Sequence, residues 1–196
     1  AKPVDKKRII FGEPTAPLHL IEWTDIRCPH CKHLEDALTE MRRIAPAGSW
    51  SEEARHFPLD SECNPQVQRS DGSGVSCLAA KLQICLVGNP KEFNRVRSTM
   101  FKEQRNLTRD RIWQIATSDA TQRKSLETCI KSPQTTKTLR EDIDYAIQHK
   151  LEGTPLVVIN NRKATALPAM IYTMIMVMGR DTDPGFKVLP PPNTQP

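Results

Sequence analysis

The chain has 196 residues, 38% hydrophobic and 26% charged, and its 28 basic and 23 acidic side chains leave a net charge of +5. That length suggests one domain, or one domain with a sizeable insertion, and suffices for a core that does not depend on covalent staples. Charges are spread along the chain with no run of five like signs, so the basic excess reads as a solvated surface and no nucleic-acid partner is expected. The longest apolar run, 169–178, is about half of the ~20 residues a membrane-spanning helix requires. The opening "AKPVDKKRII" reads as a processed or trimmed start. Together these features predict a soluble chain, or the soluble part of a larger one.

"PLHLIEWT" (17–24) has strand composition and is the first strand expected, after about 17 residues. "PHCKHLEDALTEMRRI" follows as a helix: Leu34, Leu38 and Met41 share one face, and Pro29 suits the first turn. Cys28 therefore sits at a strand-to-helix junction. "APAGSW" breaks the pattern, "ARHFPLD" (54–60) is a second strand candidate, and 63–74 reads as a loop from its Asn, Pro, Ser and Gly content. From 75 to 150 the pattern is helical. "SCLAAKLQICLVG" comes first, then "KEFNRVRSTMF" with Phe93, Val96, Met100 and Phe101 on one face. Two shorter helices follow, and "QTTKTLREDIDYAIQHK" closes the block. Strand character returns in "PLVVIN" (155–160). "NRK" makes a turn, "ATAL" pairs back, and 168–178 is a last helix. On it Met170, Met174 and Met178 recur at i, i+4, i+8; the helix is expected to pack on the sheet, although methionine also suits adaptable surfaces.

The order predicts an α/β fold, a small mixed sheet covered by helices. Residues 1–74 (β-α-β) and 151–180 (β-β-α) form the two parts of one unit, 75–150 is an inserted helical domain, and 181–196 is a proline-rich tail.

Six cysteines are many for a cytosolic chain of this size and fit an exported one. Cys28 and Cys31 form a Cys-Pro-His-Cys pair. A helix N-terminus carries partial positive charge and free N–H groups, so Cys28 is expected to be the acidic, nucleophilic thiol, with His30 adding a donor or positive charge and Cys31 one turn further in. Zinc would need four ligands, yet there is no second Cys-x-x-Cys, and His30 and His33 could complete a site only through the fold. No metal and no cofactor is expected. An inert bridge is the remaining reading; position after a strand and at a helix start favours redox chemistry. Cys63 and Cys77 flank the polar loop, and bridging them would be worth ~3 kcal/mol in the chain-entropy account. Cys85 and Cys129 lie on separate helices and could pair across the insertion. Four cysteines allow three connectivities, so free thiols and other pairings stay open.

Cys-Pro-His-Cys after an apolar strand, a helical insertion, and "EGTPLVVIN" beyond it resemble the disulfide-bond protein A (DsbA) branch of the thioredoxin fold over roughly residues 15–180. The resemblance implies that Glu22, six residues before Cys28, is a buried acid near the active site. It also implies that Thr154 and Pro155 form a cis-proline loop facing the cysteine pair and binding substrate backbone. A cis X–Pro bond costs only ~0.5–1 kcal/mol over trans, and the missing N–H leaves room for a substrate strand. Burial near a thiolate would raise the Glu22 pKa and let it relay protons; in an apolar strand it could also be an exposed edge residue. "RHFPLDSECN", "SCLAA" and "MIYTMIMVMGRDTDPGFKVLPPP" further resemble thioredoxin-like domains associated with bacterial vitamin K epoxide reductase homologues.

These resemblances imply an exported, periplasmic or extracytoplasmic thiol–disulfide oxidoreductase. It would oxidise protein substrates with free thiols and be reoxidised by a quinone-linked membrane partner of the vitamin K epoxide reductase or DsbB type. The alternatives are a reductase, an isomerase, or a non-catalytic metal- or peptide-binding module. Thr154, where the best-known oxidases carry Val, points toward reductases and isomerases. An isomerase of the known bacterial type, however, needs a dimerisation domain, and a monomer is expected. "VINNRKATALP" lacks the glycine common in the family's hairpin.

Overall fold

A computed structural model of the chain describes residues 4–180; the proline-rich tail lies outside them. Five strands and seven α-helices follow in chain order. They are β1 (Ile9–Phe11), β2 (Leu18–Thr24), α1 (Pro29–Ile44), β3 (Trp50–His56), α2 (Val75–Leu86), α3 (Pro90–Lys102) and α4 (Arg109–Ala116). Then come α5 (Ala120–Lys131), α6 (Pro133–Gln148), β4 (Leu156–Ile159), β5 (Arg162–Ala164) and α7 (Pro168–Met176). The sheet order is β1-β3-β2-β4-β5. β2 and β3 are parallel, and the other three pairings are antiparallel. This is a mixed α/β sheet in which helices α2 to α6 all fall between β3 and β4.

Alternation along β2 sorts the core into two layers. Leu18 and Leu20 face Leu34, Leu38 and Met41 of α1 and Ile171 and Ile175 of α7. Ile21 and Trp23 face Ala80 and Ile84 of α2 and Leu139, Ile143 and Ala146 of α6. A third cluster joins α2, α3, α4 and α5 to Ile26, Cys28 and Cys31, so the helical block packs directly against the cysteine pair. Disulfides Cys63–Cys77 and Cys85–Cys129 close chain segments of 14 and 44 residues. The first fastens the polar loop to α2 and the second fastens α2 to α5; in the chain-entropy account they contribute about 3 and 4 kcal/mol.

Three elements differ from the sequence reading. The first strand is β1, not the segment at 17–24. At three residues it is too short to show alternation, and it is held at the sheet edge by β3. Arg8 beside it is buried, paired with Asp142 of α6 and donating to the Ala54 carbonyl at 3.1 Å. The second strand expected at 54–60 begins instead at Trp50. Its "SEE" stretch has a surface composition, but Ser51, Glu52 and Glu53 are buried because Arg42 meets Glu52, and Arg55 and His19 meet Glu53. The strand expected at "ATAL" (164–167) is β5, which starts two residues nearer the turn, at Arg162. Asn160 and Asn161 supply that turn with φ of 46° and 67°, the left-handed region asparagine tolerates, which is why no glycine is needed. Asn160 also accepts from the His19 N–H at 2.8 Å, tying the hairpin to β2. As expected, α7 packs on the sheet, through Ile171 and Ile175 with Met174 partly buried against them, while Met170 and Met178 of the methionine series are 39% and 44% exposed.

Candidate active site

β2 ends at Thr24, and residues 25–28 form a turn closed by the Cys28 N–H donating to the Asp25 carbonyl at 3.2 Å. Buried Asp25 fixes the turn further: its carboxylate accepts from the N–H of Arg27 at 2.7 Å and of Leu59 at 3.0 Å. Cys28 is then the N-cap of α1, Pro29 opens the helix, and the Cys31 N–H donates to the Cys28 carbonyl at 3.1 Å. Both cysteines are free thiols here; Cys28 keeps a 6% exposed edge and Cys31 none. A cleft of about 440 Å³ lined by Leu59, Asp60 and Ser76 opens onto Cys28.

The two thiols are strongly unequal. Cys28 is pulled down from 9.0 to about 5, chiefly by the thiol of Cys31 donating to it, against burial, with help from Thr154 and from the backbone N–H groups of Cys31 and His30. Cys31 is pushed up, first by burial and then by its neighbour Cys28. His30 contributes through its backbone, and its side chain is exposed. Environment thus separates the two thiols: Cys28 is acidic and reachable, Cys31 protonated and enclosed.

The Thr154–Pro155 peptide is cis, and the Cys28 thiol donates to the Thr154 carbonyl at 3.3 Å. This brings the loop before β4 against the nucleophile. Pro155 itself offers no backbone N–H there. The Thr154 hydroxyl is buried beside the two thiols and favours the thiolate of Cys28.

Glu22 is fully buried on the α1 side of β2, not at an exposed edge. Its hydrogen-bond partner is Arg97 of α3, at 2.5 Å, and the charges that act on it most are Arg97, Glu52, Glu35 and Arg42 rather than Cys31. Arg97 also donates to Glu35 at 2.7 Å and to Gln83 at 3.0 Å, while Arg42 joins Glu35 at 3.0 Å and Glu52 at 2.6 Å. Three buried carboxylates therefore share two guanidiniums, and the cluster is neutral only if one carboxylate holds a proton. Glu22 has one donor and an unpartnered second oxygen, so the proton is on it. Burial raises it from 4.5 to about 8. Burial also works against Glu35, but Arg42 and Arg97 outweigh it and hold that carboxyl near 2. The three carboxylates lie within reach of a single cation, but both guanidiniums already occupy them.

A carboxyl protonated more readily in the folded chain stabilises it below pH 4.5 and loses that contribution as pH rises through about 8. Glu22→Gln should therefore flatten the fall in stability over that window while changing little at its acid end. Urea unfolding at a series of pH values is the check, and an unaltered pH profile would show that Glu22 ionises normally.

Three contributors were not singled out from sequence. Arg97 and Glu35 sit on the apolar stripes of their helices, beside Phe93, Val96 and Met100 and beside Leu34 and Leu38. A charge on such a stripe was the available signal. Gln104, in the turn after α3, donates to the carbonyls of Ile26 at 2.6 Å and Cys28 at 2.9 Å, and nothing in its sequence context marks it.

The thioredoxin family profile matches residues 5–170, which run from β1 into the first turn of α7 and include every residue of the site. The chain belongs to the thioredoxin family. Its fold is that of the DsbA-like members. It superposes with a TM-score of 0.70 on oxidised BdbD from Bacillus subtilis, at 18% identity, covering 91% of this chain and 96% of that one. For reduced DsbA from Mycobacterium tuberculosis the values are 0.60 and 17%, covering 92% and 95%. For alpha-DsbA1 from Wolbachia pipientis they are 0.59 and 18%, covering 87% and 92%. A stretch of 65 residues, 30% of this chain, is 38% identical to the Na(+)/H(+) antiporter NhaA 1 of Mycolicibacterium gilvum, spanning only 10% of that protein. With this family and this unequal thiol pair, the chain is a thiol–disulfide oxidoreductase. No helix among the described residues is long and apolar enough to cross a membrane.

Proposed function

We propose that the chain is a net oxidase of protein thiols, working as a monomer in an extracytoplasmic compartment. The observation that carries this reading is the depression of Cys28 to about 5 beside a Cys31 pushed the other way. A thiolate held that firmly favours the reduced pair and makes the disulfide a strong oxidant; every tenfold change in acidity is ~1.4 kcal/mol.

In the reaction a substrate thiolate attacks Cys28 Sγ of the Cys28–Cys31 disulfide. The S–S bond breaks, and Cys31 leaves with the electron pair and takes up a proton, as its raised affinity requires. A second substrate thiolate attacks the substrate sulfur of the mixed disulfide and expels Cys28 as a stable thiolate. Two substrate thiols become a disulfide, and two electrons remain on Cys28 and Cys31. The cis-proline loop holds the substrate backbone beside Cys28, with Thr154 and Pro155 as its contact residues. A quinone-linked membrane protein then removes the electrons. Likeness of one stretch to a membrane antiporter fits a unit working at a membrane surface.

Thr154 favours the opposite direction, through substrate contacts, so direction needs its own measurement. Equilibration with glutathione should give a potential closer to the ~−120 mV of the strong oxidant DsbA than to the ~−270 mV of thioredoxin. A value at or below the latter would make the chain a reductase.

A further inference from the structure

Cys28 lies between two unlike clefts. The one that Cys28 itself lines carries Asp25 and Asp60, both buried, Asp71 paired with Arg27, and exposed Arg69. The other, about 650 Å³, starts at Arg27 and Pro29, the two neighbours of Cys28 in the chain, and runs between the first turns of α1 and residues 101–106, at the end of α3 and just beyond it. We propose that this second cleft is a substrate subsite for acidic side chains flanking the reacting cysteine, so that the oxidase prefers acidic peptide segments; the proposal rests on the thiol–disulfide reading above.

The charge balance of the walls supports it. Two carboxylates line the cleft, and each is already matched: Asp36 by Lys32 at 2.5 Å, and Glu103 by Arg111 at 2.5 Å from outside the lining. Arg27 is likewise taken, by Asp71. What remains is Lys102 and Arg105, both exposed and, among the described residues, with no carboxylate in ion-pair range. The cleft therefore presents two uncommitted cations on the wall facing Arg27 and Pro29, the chain neighbours of Cys28.

The wall that bears them is also fixed relative to the sulfur. Gln104, between Lys102 and Arg105 in the chain, is the residue whose amide binds the carbonyls of Ile26 and Cys28. Cations on a wall anchored to the nucleophile's own backbone lose little freedom when an anion arrives. They also raise the rate at which an anionic segment meets the site.

The test uses the oxidised full chain and two synthetic dithiol peptides, identical except for Glu or Lys beside the cysteines. Each oxidation rate is divided by that peptide's rate with neutral 4,4′-dithiodipyridine, which removes differences in thiol acidity. At low ionic strength the Glu peptide should be oxidised about tenfold faster. In ~0.5 M salt, where screening shortens to roughly 4–5 Å, the preference should fall toward unity. Lys102→Glu with Arg105→Glu should invert the ratio, and Arg105→Glu alone should shrink it should the double variant not fold. Equal normalised rates, a preference for Lys, or a preference insensitive to salt would overturn the subsite while dithiothreitol still reduces the Cys28–Cys31 disulfide. Failure of dithiothreitol and of both peptides to react would instead overturn the oxidoreductase reading, and the subsite with it.

Discussion

Replacing Cys28 by Ser should abolish turnover altogether, and a Cys31 variant whose Cys28 carries an activating pyridyl disulfide should exchange it for a one-thiol substrate, pyridinethione leaving, and keep that substrate as a stoichiometric mixed disulfide on Cys28. The two thiols are not interchangeable, because only Cys28 has an exposed edge and a lowered pKa. The choice of replacement at position 31 adds a sharper expectation. The Cys31 thiol is the largest single contributor to the acidity of Cys28. Cys31→Ala removes that donor and should move Cys28 from about 5 back toward 9.0. Cys31→Ser keeps an O–H donor and should leave Cys28 acidic while trapping equally well. Reduced wild type should also gain stability relative to Cys28→Ser as pH rises from about 5 to 9.0, since a group with a depressed folded-state pKa stabilises where it is ionised only in the fold. Equal Cys28 acidity in both position-31 variants would show that the helix terminus, not the paired thiol, sets it.

Arg97→Met should cost about 3–5 kcal/mol of stability, more than any surface change, because it removes one partner from a buried ionic cluster and leaves charge uncompensated. Arg97 is completely buried, serves Glu22, Glu35 and Gln83 together, and lies over the Phe101 ring at 5.1 Å. Arg97→Lys should recover only part of the loss, since a point charge cannot reach three acceptors in a fork. The effect has a pH signature. Glu35, held near 2 in wild type, contributes stability above its ordinary 4.5 that disappears as pH falls toward 2. The gap between wild type and Arg97→Met should therefore narrow across that acid window. Chemical denaturation at pH 7 and pH 3 measures it, and a constant gap would mean that Arg97 acts by packing alone. The same residue couples the helical block to the sheet beneath the active site, so Arg97→Met is also expected to loosen α3 against β2.

The parts of this molecule legible in the sequence are those with a periodic apolar signal or a fixed local spacing. The α1 stripe of Leu34, Leu38 and Met41, the five helices between β3 and β4, and the strand before Cys28 all announce themselves this way. Opaque parts depend on partners distant in sequence. β3 hides because Glu52 and Glu53 look like surface until Arg42, Arg55 and His19 are brought to them. β1 hides because three residues carry no period. Glu22 was visible as an acid in an apolar strand, but its tie to Arg97, 75 residues away, was not. The anchoring of the nucleophile by Gln104 belongs to the same class: an amide in a short turn gives no hint of which carbonyls it will find.

The central claim is that environment makes Cys28 an acidic nucleophile and Cys31 its protonated partner. The most direct test is the pH dependence of iodoacetamide alkylation in the reduced protein, with the modified residue located by peptide mass. The account predicts modification of Cys28 first, with a midpoint near pH 5, and no reaction at Cys31 through neutral pH. A midpoint near 9.0, or modification of Cys31 ahead of Cys28, would contradict it.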